Sequence, residues 1–164
     1  MTSQLPVKPH APMELPGLSA PSAVQAIQVV DCPMHHVVTG ALIRGDQMLL
    51  VHRSPSRRWY PDVWDLPGGH VDDGEDELTA LRRELREELG VDATTIDPTP
   101  VARVSDPTSD LELGLWVVRA WSGEPTNACP AEHDDIQWVG APQLRGLELA
   151  HPGYMRLLTG LLTR

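Results

Sequence analysis

Glu84, Glu87 and Glu88 stand three and four residues apart in the stretch Glu84-Leu85-Arg86-Glu87-Glu88-Leu89-Gly90. On a helix that spacing crowds three carboxylates onto one side, where like charges repel by roughly a few tenths of a kcal/mol per pair. A sequence selected only for helix stability would break the cluster up. A hard divalent ion such as Mg²⁺ prefers oxygen ligands, so it would turn the repulsion into binding.

The residues around the cluster predict what positions it. Leu78, Leu81, Leu85 and Leu89 recur at helical spacing and form a core-facing stripe. Asp73, Glu75, Asp76 and Glu77 crowd the start of this helix, where its dipole favours negative charge, and Gly90 supplies a stop. Leu66-Pro67-Gly68-Gly69 turns the chain sharply just before it. Upstream, Val37–Ile43 and Gln47–His52 read as strands joined by the turn Arg44-Gly45-Asp46, a hairpin. The polar loop Arg53 to Asp65 follows, with Arg53, Arg57 and Arg58 among Trp59, Tyr60 and Trp64. Downstream come a weak strand at 100–104, a stronger one at 111–121, an acidic loop at 132–135, a short strand at 136–139 and a last helix over 152–162. Strands on both sides of a central helix, with a second helix at the end, predict an α/β fold with a mixed sheet covered by helices.

Length and composition bound the rest. A chain of 164 residues, 41% hydrophobic, accommodates one well-buried domain. Residues 1–34 hold six of the sixteen prolines (Pro6, Pro9, Pro12, Pro16, Pro21 and Pro33) and read as an extended or disordered tail preceding a domain at 35–164. No apolar run approaches the roughly 18–20 residues that span a bilayer, and no secretory signal is visible; the expectation is a cytoplasmic protein without a membrane partner. Cys32 and Cys129 lack metal-ligand spacing and read as ordinary thiols of a reducing compartment. A net charge of −10 argues against general nucleic-acid binding but leaves room for a small phosphorylated substrate whose charge a metal offsets. Chain association is open between monomer and homodimer.

Gly69, Glu75, Arg83, Glu84, Leu85, Glu87, Glu88, Gly90 and Val91 together meet every fixed position of G-x5-E-x7-R-E-U-x-E-E-x-G-U, where U is bulky and aliphatic. The 23-residue match resembles the box of the Nudix hydrolases, and the flanking strand pattern extends the resemblance from about His36 to the C-terminus. The resemblance implies an α/β/α sandwich around a mixed sheet and hydrolysis, dependent on Mg²⁺ or Mn²⁺, of a nucleoside diphosphate linked to another group. By position it implies Glu84, Glu87 and Glu88 as metal ligands, aided by the backbone carbonyl of Gly68, with Glu75 and Arg83 as an ion pair fixing loop against helix. The chemistry agrees. A phosphoanhydride is activated but shielded by charge, so its cleavage needs neutralised oxygens, an in-line water and a base.

Within the family the pattern is closest to MutT-type enzymes, which hydrolyse oxidised purine nucleoside triphosphates. There a glutamate six residues before a tryptophan assists metal binding or catalysis, and Glu132 holds that place before Trp138; Asp134 and Asp135 stand near enough to substitute. Glu84 and Glu132 are thus the two candidates for catalytic base, against a solvated acidic loop as the bland alternative for Glu132. Arg53, ending the second strand, stands where the family often contacts phosphate, and its fork suits two oxygens. Arg57 and Arg58 read as solvated charges that could steer an anion, and Trp59, Tyr60 and Trp64 as packing residues rather than base-stacking ones. His35, His36, His52, His70 and His133 form no zinc pattern and read as structural or exposed. MutT-type enzymes read the oxidised purine with an asparagine before the last helix, whereas His151 stands there, and one face of an imidazole cannot offer an amide's donor and acceptor together. A MutT-like pyrophosphohydrolase of (d)NTPs, with 8-oxo-dGTP as a lead, is therefore set against two alternatives. One is an ADP-ribose, nucleotide-sugar or dinucleoside polyphosphate hydrolase; the other is a non-catalytic nucleotide sensor.

Overall fold

The computed structural model describes residues 35–106 and 110–163; the proline-rich tail and Cys32 lie outside the described residues. The predicted hairpin is formed by β1 (His35–Arg44) and β2 (Gln47–Arg53), but only next to the turn, where Ile43 faces Met48 and Arg44 faces Gln47. Beyond it the two strands part. The rest of β1 runs parallel to β7 (Leu111–Ser122) and antiparallel to the short β4 (Gly68–His70). β2 pairs antiparallel with β8 (His133–Gly140) along its length and with the two-residue β3 (Trp64–Asp65) at its end. β5 (Asp92–Ile96) and β6 (Ala102–Asp106) add antiparallel partners to β7. The sheet is mixed, as expected.

Alternation along the strands divides the core in two. Leu49, Val51, Trp116 and Val118 face α1 (Glu77–Leu89), while Met48, Leu50, Leu115 and Val117 face α2 (Ala141–Leu144) and α3 (Tyr154–Leu162). Helices on both faces of one sheet make the α/β/α sandwich. Of the predicted stripe, Leu81, Leu85 and Leu89 are fully buried and Leu78 packs against their edge. Truncating one such leucine to alanine costs about 2–5 kcal/mol. Asp76 caps α1, its Oδ1 accepting from the N–H groups of Leu78 and Thr79, and Gly90 ends it in the left-handed conformation at φ 70°.

Two sequence expectations are corrected. The strand expected at 136–139 begins at His133, so most of the acidic stretch is strand, paired with β2, rather than loop. β3, β4, β5 and α2 add to the expected elements. Among the described residues no helix is long and apolar enough to cross a membrane.

Candidate active site

The turn before α1 is built around two glycines with different duties. Gly68 has φ +145°, and a Cβ there would lie 2.0 Å from the Val38 carbonyl oxygen, so no side chain fits. Gly69 is bare for another reason. A Cβ on it would lie 2.5 Å from Glu84 Cδ and 2.6 Å from both carboxylate oxygens, so β4 packs its backbone directly onto the Glu84 head group.

Arg83 is the hub of the exposed side. Its Nε and Nη2 donate to the two oxygens of Glu75 at 3.1 and 2.9 Å, the ion pair the resemblance implies. Nη2 also donates to the His70 carbonyl at 2.9 Å, and Nη1 donates to Glu84 Oε1 at 2.7 Å and, longer, to Glu87 Oε2 at 3.5 Å. The guanidinium holds the Glu75 carboxyl below the ordinary carboxylate range. It also offsets the repulsion between Glu84 and Glu87.

Glu88 is different. It is buried, its Oε2 accepts the Gly68 N–H at 2.8 Å, and burial pushes its carboxyl well above the ordinary range, with Glu84, Glu132 and Asp65 adding to the shift by charge. Burial likewise raises Glu84, against the pull of Arg83. Glu132 lies across from them, held by Arg57 Nη1 at 2.6 Å. Its segment is tied into the site by backbone bonds from Ser54 N to Glu132 O (2.9 Å), from Ala128 N to Glu88 O (2.9 Å) and from Thr126 N to Leu89 O (3.0 Å).

Glu84, Glu88 and Glu132 are thus near enough to act on one another by charge, whereas Glu87 is exposed and turned to Arg83. As the side chains stand, no three His, Cys, Asp or Glu groups among the described residues converge to hold a metal. The donor set nonetheless fits a hard cation. Desolvated carboxylates that raise one another's proton affinity are an oxygen-ligand site in want of positive charge.

The two residues expected to read substrate are occupied with the protein. Arg53 donates through Nε to the Tyr60 carbonyl (2.9 Å), through Nη2 to the Trp59 carbonyl (2.8 Å) and through Nη1 to Asp65 (3.3 Å). It clamps a turn in which Tyr60 and Asp62 have positive φ, and it leaves Trp59 and Tyr60 exposed at the surface rather than packed as expected. His151 Nδ1 accepts the Gly153 N–H at 3.0 Å, and its ring lies 5.7 Å from that of Tyr154. Arg57, expected to be a solvated charge, holds Glu132. Trp64 packs against the second core half, its ring 4.9 Å from His52.

Two further residues belong to the site. Asp65, in the apolar run Trp64-Asp65-Leu66-Pro67, is a buried carboxyl raised by desolvation against Arg53, and it hydrogen-bonds with Tyr154 of α3. A lone acid in such a run is the signal that could have found it. His133 is buried beside Glu88, and burial lowers its pKa to about 4. It resembles an ordinary strand residue in sequence.

A family model described as NUDIX domain matches residues 34–159. A protein of Mycobacterium tuberculosis named "Putative 8-oxo-dGTP diphosphatase 2" is 36% identical over 121 residues, covering 68% of this chain and 77% of that one. An "Isopentenyl-diphosphate Delta-isomerase" of Paenarthrobacter aurescens is 34% identical over 140 residues, covering 80% of this chain and 73% of its own. Among solved structures, a MutT NUDIX hydrolase from Burkholderia pseudomallei superposes with a TM-score of 0.63 at 26% identity, covering 77% of this chain and 95% of the other.

Proposed function

Because this chain belongs to the Nudix family and is one of its hydrolases, we propose that it is a Mg²⁺-dependent, MutT-like pyrophosphohydrolase of (d)NTPs, releasing a nucleoside monophosphate and pyrophosphate. The observation that carries this is Glu88, buried against Gly68 with Glu84, Glu132 and Asp65 around it. Glu84, Glu87, Glu88 and the Gly68 carbonyl would hold the ion; Mn²⁺ would serve as well. When bound, such an ion neutralises phosphate oxygens and eases deprotonation of the attacking water.

The chain's own residues supply the rest. Glu84 or Glu132 takes the proton of the in-line water as the phosphorus–oxygen bond to pyrophosphate breaks. Each gives one oxygen to an arginine and keeps the other for the water. Arg57 and Arg83 then stand where a polyphosphate arriving at the carboxylates needs positive charge. His151 and Arg53 contribute to substrate reading through the Tyr154–Asp65 link that joins their loops. The small nucleotide pool such an enzyme works on suits a cytoplasmic protein.

The likeness to the Paenarthrobacter isomerase supports a second reading, isomerisation of isopentenyl diphosphate. One screen separates them. Wild-type protein with Mg²⁺ is presented with nucleoside triphosphates, 8-oxo-dGTP, ADP-ribose, nucleotide sugars and isopentenyl diphosphate, and products are identified. The proposal expects monophosphate and pyrophosphate from a triphosphate and no turnover in excess chelator. Equal or better turnover of ADP-ribose, isomerisation without hydrolysis, or inertness toward every compound would overturn it.

A further inference from the structure

Glu88 Oε1, the oxygen not bonded to Gly68, faces His133 Nε2 at 3.6 Å, and both side chains are about 95% buried, with 5% and 4% of their surface exposed. The ring's other nitrogen, Nδ1, is buried and has no hydrogen-bond partner among the described residues. That arrangement is a poor choice for packing alone. A buried polar atom without a partner costs about 1–3 kcal/mol, which an apolar side chain of similar size would avoid.

The ring's backbone is firmly held. His133 N donates to the Cys129 carbonyl at 3.1 Å, and Asn127 Nδ2 donates to the His133 carbonyl at 2.7 Å. The residues just before it cap the end of α1 through Ala128 N to Glu88 O. One short segment therefore touches Glu88 twice, once at its backbone and once at its carboxylate. An uncharged imidazole carries a single N–H, and once a cation holds Glu88 ionised the oxygen opposite Nε2 places it there, since the other tautomer would set a lone pair against negative charge. Around the ring stand Glu132, Asp134, Arg53 and Arg57.

We propose that His133 is a positioning residue for Glu88: its Nε2–H and the Gly68 N–H engage one oxygen each and fix the carboxylate plane, leaving the remaining lone pairs for a cation. At 3.6 Å the N–H faces the carboxylate without a formed bond, and an approach of about half an ångström closes it. Donors behind a ligand carboxylate orient it, and their loss typically weakens metal binding about 10–100-fold. The inference rests on the reading of Glu88 as a metal ligand.

The test uses the full chain and Mn²⁺ alone, with binding followed by calorimetry beside thermal melting. The variants are His133→Gln, His133→Asn and His133→Leu. A glutamine amide nitrogen reaches the place of Nε2, an asparagine nitrogen reaches only that of Nδ1, and leucine offers neither. Leu and Asn are expected to weaken Mn²⁺ binding about 10–100-fold, and Gln to restore it to within about threefold. Should the leucine variant not fold, the Gln–Asn contrast carries the result. Wild-type binding in His133→Leu, or Gln no better than Asn, overturns the inference. Glu88→Gln separates the two levels: if it binds Mn²⁺ as the wild type does, the ligand reading and this inference both fall. If it loses binding while every His133 variant keeps it, only this inference falls.

Discussion

Replacing Gly69 by alanine should uncouple activity from stability. The added Cβ would lie 2.5 Å from Glu84 Cδ, against an ordinary contact of 3.4 Å or more, so the carboxylate must retreat by about 1 Å. The obstacle is the end of a flexible side chain, and Gly69 does not have the left-handed backbone that would strain alanine. The cost in stability is therefore the Arg83–Glu84 bond and a rotamer change, about 1 kcal/mol. The cost in rate is larger, because displacing a reacting group by about 1 Å costs on the order of 10²-fold. Two assays suffice: Mg²⁺-dependent nucleotide hydrolysis and chemical denaturation. A cycle with Glu84→Ala completes the argument, since a Gly69→Ala defect acting through Glu84 vanishes once that carboxylate is gone. Gly68→Ala provides the contrast, because there the clash is with the Val38 carbonyl and the fold itself suffers. A Gly69→Ala protein of wild-type turnover, or one whose loss adds in full to that of Glu84→Ala, would refute the reasoning.

Glu88→Gln should lower turnover at least about 10²-fold while raising metal-free stability in denaturation, since it removes a desolvated acid surrounded by other acids. Arg53→Ala should destabilise the protein by about 3 kcal/mol by stranding buried Asp65; a raised KM at unchanged stability would instead restore its role as a phosphate contact. Arg103, which donates to Glu77 at 2.7 and 2.8 Å, holds that carboxyl down from 4.5 to about 2, with His36 assisting. A depressed folded-state pKa contributes stability that is present above about 4.5 and lost as pH falls toward about 2. Arg103→Gln should therefore cost about 1 kcal/mol at pH 7, after screening around the half-exposed guanidinium, and progressively less as pH falls from about 4.5 through about 2; a cost that does not shrink with acid would count against the pair.

Much of the scaffold was legible because it follows period and punctuation. The leucine stripe, Asp76 and Gly90 state where α1 starts, stops and faces, and the apolar runs announce β1, β2 and β7. β4 is Gly-Gly-His and carries no hydrophobic signal; it is a strand because β1 offers it an edge. β8 reads short in sequence because Asp134 and Asp135 look like loop, although both are exposed residues of a paired strand and Asp134 bonds to His52. Arg53 was placed correctly at a strand end, but its partners are carbonyls of a turn with positive φ, which no residue type announces. His133 was invisible for a related reason. Its meaning lies in Glu88, 45 positions away in the chain and 3.6 Å away in space.

Spacing alone makes Glu84, Glu87 and Glu88 look equivalent, and the helix shows that they are not. At about 100° per residue, the centre of the Leu81–Leu85–Leu89 stripe lies about 60° from Glu88, 100° from Glu84 and 160° from Glu87. Their side-chain exposures follow that order: 5%, 15% and 60%. Periodicity alone therefore grades them into one desolvated carboxylate, one at the core's edge and one in water. The same register that buries the leucines sets how strongly each acid wants positive charge. Among the described residues Glu88 has the greatest need and no paired arginine, Glu84 shares Arg83, and Glu87 is satisfied largely by solvent. A one-residue slip of α1 would turn Glu88 by about 100° toward the stripe's centre or away from it, and the core would fail with the site. Fold and site are thus specified by one helical phase, which is why so much of both was readable from a single stretch of sequence.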